Sequence, residues 1–387
     1  MIVHEEHPYN AESPPAALLG EPITATDTFY SRNHGPIPQI DPDRWRLRIG
    51  GLLEHERELS LAELQEGFEA VTVAATLQCA GNRRAGFLTV RDIPGEDPWA
   101  GGATSTATWT GVRLRDVLAS VGLASVGVEA GRGSEGTTGS EGASGSEHTS
   151  GAGHVCFNAP DVSQLADPPQ AYGGSIPLDK AMSPEVLLAW EMNGEPLTPV
   201  HGAPLRVVVP GWIGARSVKW LTSIVLSAEP SPDYFQATAY RLLPPEADPG
   251  EAGPGDGLSL GPVALNCEIL SPVQGDAVDL TEGFSVAGYA FAGQDRRVAR
   301  VDVSVDGGRN WRQADLEEPL SDWTWQHWTC RVSDVVVPGS EVISVVARAW
   351  DDTGALQPRE AADLWNPKGY VNNSWPSVQV HHRGRTG

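Results

Sequence analysis

Lysine is nearly missing from this chain of 387 residues: of 27 basic residues only Lys180, Lys219 and Lys368 are lysines, against 50 Asp and Glu and a formal net charge of −23. That balance argues against a general nucleic-acid or anionic-membrane surface, and it obliges any anion site to be a local concentration of positive charge. Cysteine is sparse as well. Cys79, Cys156, Cys267 and Cys330 lie far apart without a Cys-x-x-Cys pair, which argues against a structural zinc site and a dense disulfide framework. No segment approaches the roughly 20 apolar residues of a membrane span. The first eight residues lack both a basic start and an apolar run, and the chain does not end in Ser-Lys-Leu, so the expectation is a soluble, cytoplasmic protein with reduced thiols.

What is abundant points to strands. With 40% hydrophobic residues, 43 Gly, 31 Pro and 13 Trp, the composition favours strands and ordered loops over a helical bundle, and the length calls for more than one domain. The expected fold class is α+β, a mixed domain over residues 1–262 followed by an immunoglobulin-like β-sandwich over 263–387. Residues 131–153 are almost all Gly, Ser, Thr, Glu and Ala and read as a disordered surface insertion, with His148 and His154 as solvated loop residues.

Chemistry is concentrated at Cys79-Ala80-Gly81-Asn82-Arg83-Arg84. Arginines beside a thiol favour the thiolate, the form that attacks electrophiles or binds soft metals, and Gly and Asn favour a tight turn. The bland alternative is a half-buried cysteine beside surface arginines. Residues 71–77 (Val-Thr-Val-Ala-Ala-Thr-Leu) read as a buried strand delivering Cys79 at its end.

The rest of the chain supplies a frame. Residues 1–28, rich in Pro, Glu and Ala, read as an extended arm on the surface, followed by a Pro-stiffened Arg32-Asn33-His34 cluster. Ser60 and Glu63 form a capping box, and Leu114, Val117, Leu118 and Val121 fall at helical spacing. Strands are expected over 186–190, 205–209 and 218–221, and within this apolar setting His201, Arg206, Arg216 and Lys219 stand out as charges that need a partner, either a bound anion or internal carboxylates. A Pro- and Gly-rich linker over 244–262 leads to alternating strands with an Asp306-Gly307-Gly308 turn.

Taken together, Arg32-Asn33-His34, Cys79-Ala80-Gly81-Asn82-Arg83-Arg84, His201-Gly202-Ala203-Pro204-Leu205-Arg206 and Gly214-Ala215-Arg216-Ser217-Val218-Lys219-Trp220 stand in the order of the sulfite oxidase family of molybdenum-cofactor enzymes, which the chain resembles from about residue 22 to about 380. The resemblance implies that Cys79 supplies one thiolate to a molybdenum otherwise held by molybdopterin. It implies that Tyr30, Ser31, Arg32, Asn33, His34, Asp161, His201, Arg206, Ser217, Val218 and Lys219 hold the cofactor. It also implies a substrate pocket of Arg32, Arg84, Trp99, Tyr240 and Lys368, with lysine at 368 where family members commonly carry arginine.

The reaction so implied is sulfite oxidation to sulfate, with electrons passing to dioxygen or a separate acceptor such as a cytochrome, in a homodimer without haem. There is no Cys-x-x-Cys-His haem signature, so the chain looks most like haem-free, plant-type members. The alternatives are a nitrate reductase-type or S-oxide reductase-type enzyme of the same fold, and a cofactor-free binding or assembly protein.

Overall fold

In the computed structural model, which describes residues 1–123, 151–333 and 342–382, the strand Ala70–Gln78 leads directly into Cys79. It pairs antiparallel with Thr104–Arg113 over its whole length, from Ala70 opposite Val112 to Gln78 opposite Thr104. Leu187–Met192 lies on the far side of that partner and is itself flanked by Glu195–Pro196 and Arg206–Val208. Only the last four residues of Ala70–Gln78 are fully buried, so the expected buried strand is buried at the end that carries Cys79 and partly exposed where it begins.

A second five-stranded sheet runs in the order Arg57–Leu59, Leu47–Gly51, Ser223–Ser227, His154–Ser163, Gln170–Pro177. Ser223–Ser227 is parallel to Leu47–Gly51 and antiparallel to His154–Ser163. One core joins the sheets and includes Leu47, Ile49, Phe157, Val207 and Ile224. The helix Leu114–Ser120 presses Leu114, Val117 and Leu118 into it, the stripe expected from 3.6-residue periodicity. The capping box opens the helix Leu61–Gly67: Glu63 N–H donates to Ser60 Oγ at 3.2 Å, and Ser60 N–H donates to the Glu63 carboxylate at 2.8 Å.

The C-terminal part is a sandwich of a four-stranded sheet (Asn266–Ser271, Phe284–Phe291, Gln326–Val332, Asp315–Leu316) and a five-stranded sheet (Ala277–Val278, Ser377–His382, Val342–Asp351, Val298–Ser304, Arg312–Gln313). Alternating residues such as Val286, Trp328, Val301, Val345 and Ala347 fill the space between them. This core is separate from the first. The chain nevertheless crosses back: after Val342–Asp351, residues 365–374 leave the sandwich and pack on the Cys79 turn, where Val371 N–H donates to Ala80 O at 2.8 Å.

Three expectations are corrected. Residues 1–28 are more than surface wrapping: the hairpin of Ile2–Glu6 and Tyr9–Glu12 buries Asn10, Ala11 and Glu12, and the Glu12 carboxylate accepts from the N–H groups of Ala100 and Gly102 at 3.1 and 3.0 Å. Residues 218–221 form no strand, because Trp220 takes a left-handed backbone (φ 52°) with its indole N–H on Pro199 O at 2.7 Å, and that conformation breaks an extended run. His154 opens the strand His154–Ser163 with its ring partly buried, so it is no solvated loop residue. Most of the expected insertion 131–153, His148 included, lies outside the described residues.

Candidate active site

The Cys79 turn is closed by a bond of its own and fastened from two sides. Cys79 N–H donates to Ala103 O at 2.9 Å, Asn82 N–H to Cys79 O at 3.0 Å, and Asn82 Nδ2 to the Tyr289 hydroxyl of the sandwich at 3.1 Å. Gly81 is required by space, since a Cβ there would stand 2.6 Å from the Arg84 guanidinium. Gly81 N–H donates weakly to Cys79 Sγ at 3.4 Å.

The arginines are buried here, with Arg83 7% and Arg84 2% exposed, which removes the bland reading of a cysteine beside surface charge. Their effect on the thiol is smaller than the local sequence suggested. Burial pushes the Cys79 thiol above its ordinary range, and Arg84, the Gly81 N–H and Arg32 offset this only in part. Arg83 contributes elsewhere, because its guanidinium pairs with Glu268 at 2.8 Å and donates to Ser374 O at 2.7 Å. A soft metal at this sulfur would therefore have to displace a proton.

Cys79 opens into a cleft enclosing about 620 Å³ of space not filled by atoms, part of it open to solvent. Of the residues singled out in the sequence, Tyr30, Ser31, Arg32, Asn33, His34, Asp161, His201, Arg206, Ser217, Val218, Lys219 and Tyr240 line it together with Cys79. The N-terminal arm builds one wall: Ser31 exchanges backbone hydrogen bonds with Ala11 at 2.8 and 2.9 Å, and Asn33 N–H donates to Asn10 Oδ1 at 2.7 Å.

The cleft gathers several cations around a single lining carboxylate, that of Asp161. Among the described residues no carboxylate lies within 4 Å of Arg32, Arg206, Arg216 or Lys219, so internal salt bridges do not account for these buried cations. They rest on neutral acceptors instead. Arg206 donates to His201 O at 3.0 Å and Ser217 O at 3.1 Å, Lys219 donates to Val200 O at 3.0 Å and to Asn33 Oδ1, and Arg32 donates to Asn33 O. Burial drives the Lys219 ammonium well below its ordinary pKa, with Arg206 and Arg32 pushing the same way and Asp161 opposing them. Burial likewise lowers His201 to about 4, where its Nε2–H donates to Thr26 O at 3.0 Å. Asp161 is raised to about 7 by burial, opposed by Lys219, and one of its carboxylate oxygens has no partner.

At the other end of the cleft His34 Nε2 lies 2.6 Å from the Tyr240 hydroxyl, and the His34 ring stacks on Tyr172 with centroids 4.7 Å apart. Burial first, then Arg32 and Lys219, holds His34 far below its ordinary pKa, so the ring is neutral. Burial also raises Tyr240, which keeps its proton. Tyr172 escaped the sequence reading because Gln170–Pro177 carries no alternating pattern; only its aromatic type could have flagged it.

Arg84, Lys368 and Trp99 stand beside the cleft rather than in its lining. Arg84 donates from Nε to Lys368 O at 3.1 Å and from Nη1 to Asp97 O at 2.8 Å, and its Cζ lies 5.5 Å from the Tyr370 ring, which stacks on Tyr240 with centroids 5.5 Å apart. Glu96, which the sequence reading passed over, pairs with both cations, with Arg84 at 3.2 Å and with Lys368 at 3.2 Å. Trp99 is fully buried in the core that also holds Cys79, edge-on to His4 at 4.8 Å.

Comparison with known proteins agrees with this assembly. Residues 34–235 match the family model described as "Oxidoreductase molybdopterin binding domain", and residues 261–383 match "Mo-co oxidoreductase dimerisation domain". The chain is 38% identical to the mitochondrial sulfite oxidase of Homo sapiens over 387 positions, covering 98% of this chain but 65% of that protein. It is 35% identical to the sulfite oxidase of Arabidopsis thaliana, covering 97% of this chain and 92% of that protein. The sulfane dehydrogenase SoxCD from Paracoccus pantotrophus shares the fold, with a TM-score of 0.72 at 24% identity over 95% of this chain and 83% of that one.

Proposed function

Because the chain belongs to the sulfite oxidase family of molybdopterin oxidoreductases, we propose that it oxidises sulfite to sulfate in the Cys79 cleft, with Cys79 as the one protein ligand of the molybdenum. The observation that carries this reading is the convergence of that thiol with Arg32, Arg206 and Lys219, none of which has a carboxylate within 4 Å among the described residues, in a protein of net charge −23. Buried cations that lack an internal anion are expensive unless a bound anion completes them.

The residues present suit the cofactor. Among the described residues no group of three or more His, Cys, Asp and Glu could hold a metal by itself, which suits a metal carried by sulfur atoms of its own cofactor and anchored by one soft protein ligand. Arg206 and Lys219, with the Ser217 hydroxyl, suit a phosphate, Arg as a planar fork and Lys as a point charge. The unpartnered Asp161 oxygen suits a donor group of a pterin. When bound, molybdenum–molybdopterin supplies the two-electron redox and oxygen-transfer chemistry.

The chain's own residues do the rest. Arg32 at the cleft and Arg84 and Lys368 beside it gather and orient a small oxyanion against the repulsion of the acidic surface. Tyr240 holds a proton at its hydroxyl, and His34 Nε2 shares that hydrogen bond. The balance is sulfite plus water giving sulfate, two protons and two electrons, the electrons leaving to dioxygen or to a separate acceptor such as a cytochrome. A homodimer, absence of haem and a cytoplasmic setting belong to the same proposal; the last is supported by four buried free thiols.

The test is sulfite oxidation by molybdenum-loaded protein with dioxygen, ferricyanide and cytochrome c offered in parallel, beside a dye-driven nitrate reduction assay. Sulfite turnover with at least one acceptor and no Soret band is expected. Nitrate turnover without sulfite turnover would replace the proposal by the nitrate reductase-type alternative.

A further inference from the structure

Arg84 and Lys368 meet in one carboxylate. Glu96 offers Oε2 to Arg84 Nη2 and Oε1 to Lys368 Nζ, both at 3.2 Å. The trio grades from inside outward, with side-chain exposure 3% at Arg84, 15% at Glu96 and 26% at Lys368. Through Tyr370 it adjoins Tyr240 and the cleft.

The bonds of Arg84 are of two kinds. Two are to backbone carbonyls, Lys368 O and Asp97 O, and these fix the plane of the guanidinium. The third, to Glu96, can be released by rotating a side chain in the irregular stretch 91–103 without moving backbone. Glu96 is also the one carboxylate within 4 Å of Lys368 among the described residues. A carboxylate that gives one oxygen to each of two cations presents the same two-oxygen edge as a small oxyanion.

We propose that Glu96 is a tethered competitor for anions: its carboxylate occupies the facing donors of Arg84 and Lys368 until an external oxyanion of the sulfite or sulfate type displaces it. Glu96 thus sets the strength of anion binding at this pair, weakening it for every anion while preventing two adjacent cations from facing each other unscreened. The displaced carboxylate also repels a bound dianionic product, which favours release. This inference rests on the sulfite reading for the identity of the anion.

The experiment compares wild-type, Glu96→Gln and Glu96→Ala holoenzymes of equal measured molybdenum content. In E96Q the KM for sulfite is expected to fall by roughly three- to tenfold, the scale of one partly buried ion pair, with kcat changed by less than about twofold. Inorganic sulfate, titrated by calorimetry without turnover, should bind E96Q more tightly by the same factor. A Glu96 that merely holds the cations in place requires the opposite, a raised KM and weaker sulfate binding in both variants; that result, or no change, overturns the proposal. If wild-type enzyme turns over no sulfite, the sulfite reading falls while the sulfate titration still decides the role of Glu96. If turnover is intact and sulfate affinity is the same in all three proteins, only the role of Glu96 falls.

Discussion

His34 Nε2 lies 2.6 Å from the hydroxyl oxygen of Tyr240, a residue 206 positions later in the chain. The contact joins a loop held by the N-terminal arm to the backbone at Tyr240, which adopts a left-handed conformation (φ 53°) that a bulky residue takes only when its surroundings impose it. Both rings are kept neutral by burial, so the pair can position a proton but cannot store charge.

Tyr240→Phe removes that hydroxyl and keeps the ring stacked on Tyr370. On the proposed role it should lower kcat for sulfite by roughly 10²-fold, the scale of losing one positioned proton-transfer group, with molybdenum content unchanged. Steady-state kinetics beside metal analysis checks it; unaltered kcat removes Tyr240 from the reaction.

Cys79→Ser replaces a buried thiol by a hydroxyl, a poor ligand for a soft metal. Protein purified from a molybdenum-replete host should lose molybdenum and sulfite turnover while its melting temperature, measured free of cofactor, stays within a few degrees of wild type. Full molybdenum retention would refute the ligand assignment.

Lys219→Met predicts effects of opposite sign. Lys219 is a buried cation without a carboxylate within 4 Å among the described residues, so its removal should leave cofactor-free protein as stable as wild type or more so. The same change should lower pterin and molybdenum content at least about tenfold, since a phosphate loses its point charge. Thermal unfolding of the cofactor-free form and cofactor analysis read the two effects separately.

Asp161→Asn tests the carboxyl raised to about 7. A group whose folded pKa lies above its ordinary value of 3.8 binds more protons in the native state, so its effect is absent below about pH 4 and becomes a growing penalty as pH rises to about 7. Cofactor-free D161N should match wild type near pH 4 and exceed it above pH 7 by on the order of 4 kcal/mol, taking 1.36 kcal/mol per pKa unit. His201, lowered to about 4, acts in the reverse sense, lost as pH falls from about 6.5, and remains in both proteins. Denaturant titrations across this range give the difference; equal stability at pH 8 would contradict a buried, charged Asp161.

Tyr289→Phe probes the seam between the sandwich and the Cys79 turn. The Tyr289 hydroxyl accepts from Asn82 Nδ2 at 3.1 Å and donates to Gly101 O at 2.9 Å, and both groups lose that partner in the variant. A loss of about 1–3 kcal/mol is expected in denaturant unfolding. An unchanged midpoint would mean that the seam does not depend on this hydroxyl.

Much of the site was legible because its chemistry is local. The strand before Cys79, the capping box of Leu61–Gly67, the stripe of Leu114–Ser120 and the alternation through Val342–Asp351 are short-range periodicities, and the four motifs are contiguous residues whose types carry their meaning. The residue types at Cys79, Arg32, Arg206 and Lys219 raised a soft ligand and an anion site beside blander alternatives, and the order of the motifs was what pointed to a family.

What the tertiary structure decided depends on groups far apart in sequence. Burial outweighs the neighbouring arginines at Cys79, a result no local sequence can supply because desolvation is set by the whole surrounding core. Residues 1–28 became structural through pairing with Ser31 and Asn33 and with the distant Ala100, Gly102 and Thr106, and residues 365–374 joined the Cys79 turn by crossing back from the sandwich. Glu96 read as one acid among 50 until the fold set it between Arg84 and Lys368, 12 and 272 positions away. Sequence thus determined which groups could bind an anion, and folding determined which carboxylate contests it, because Coulomb interaction depends on distance in space and not along the chain.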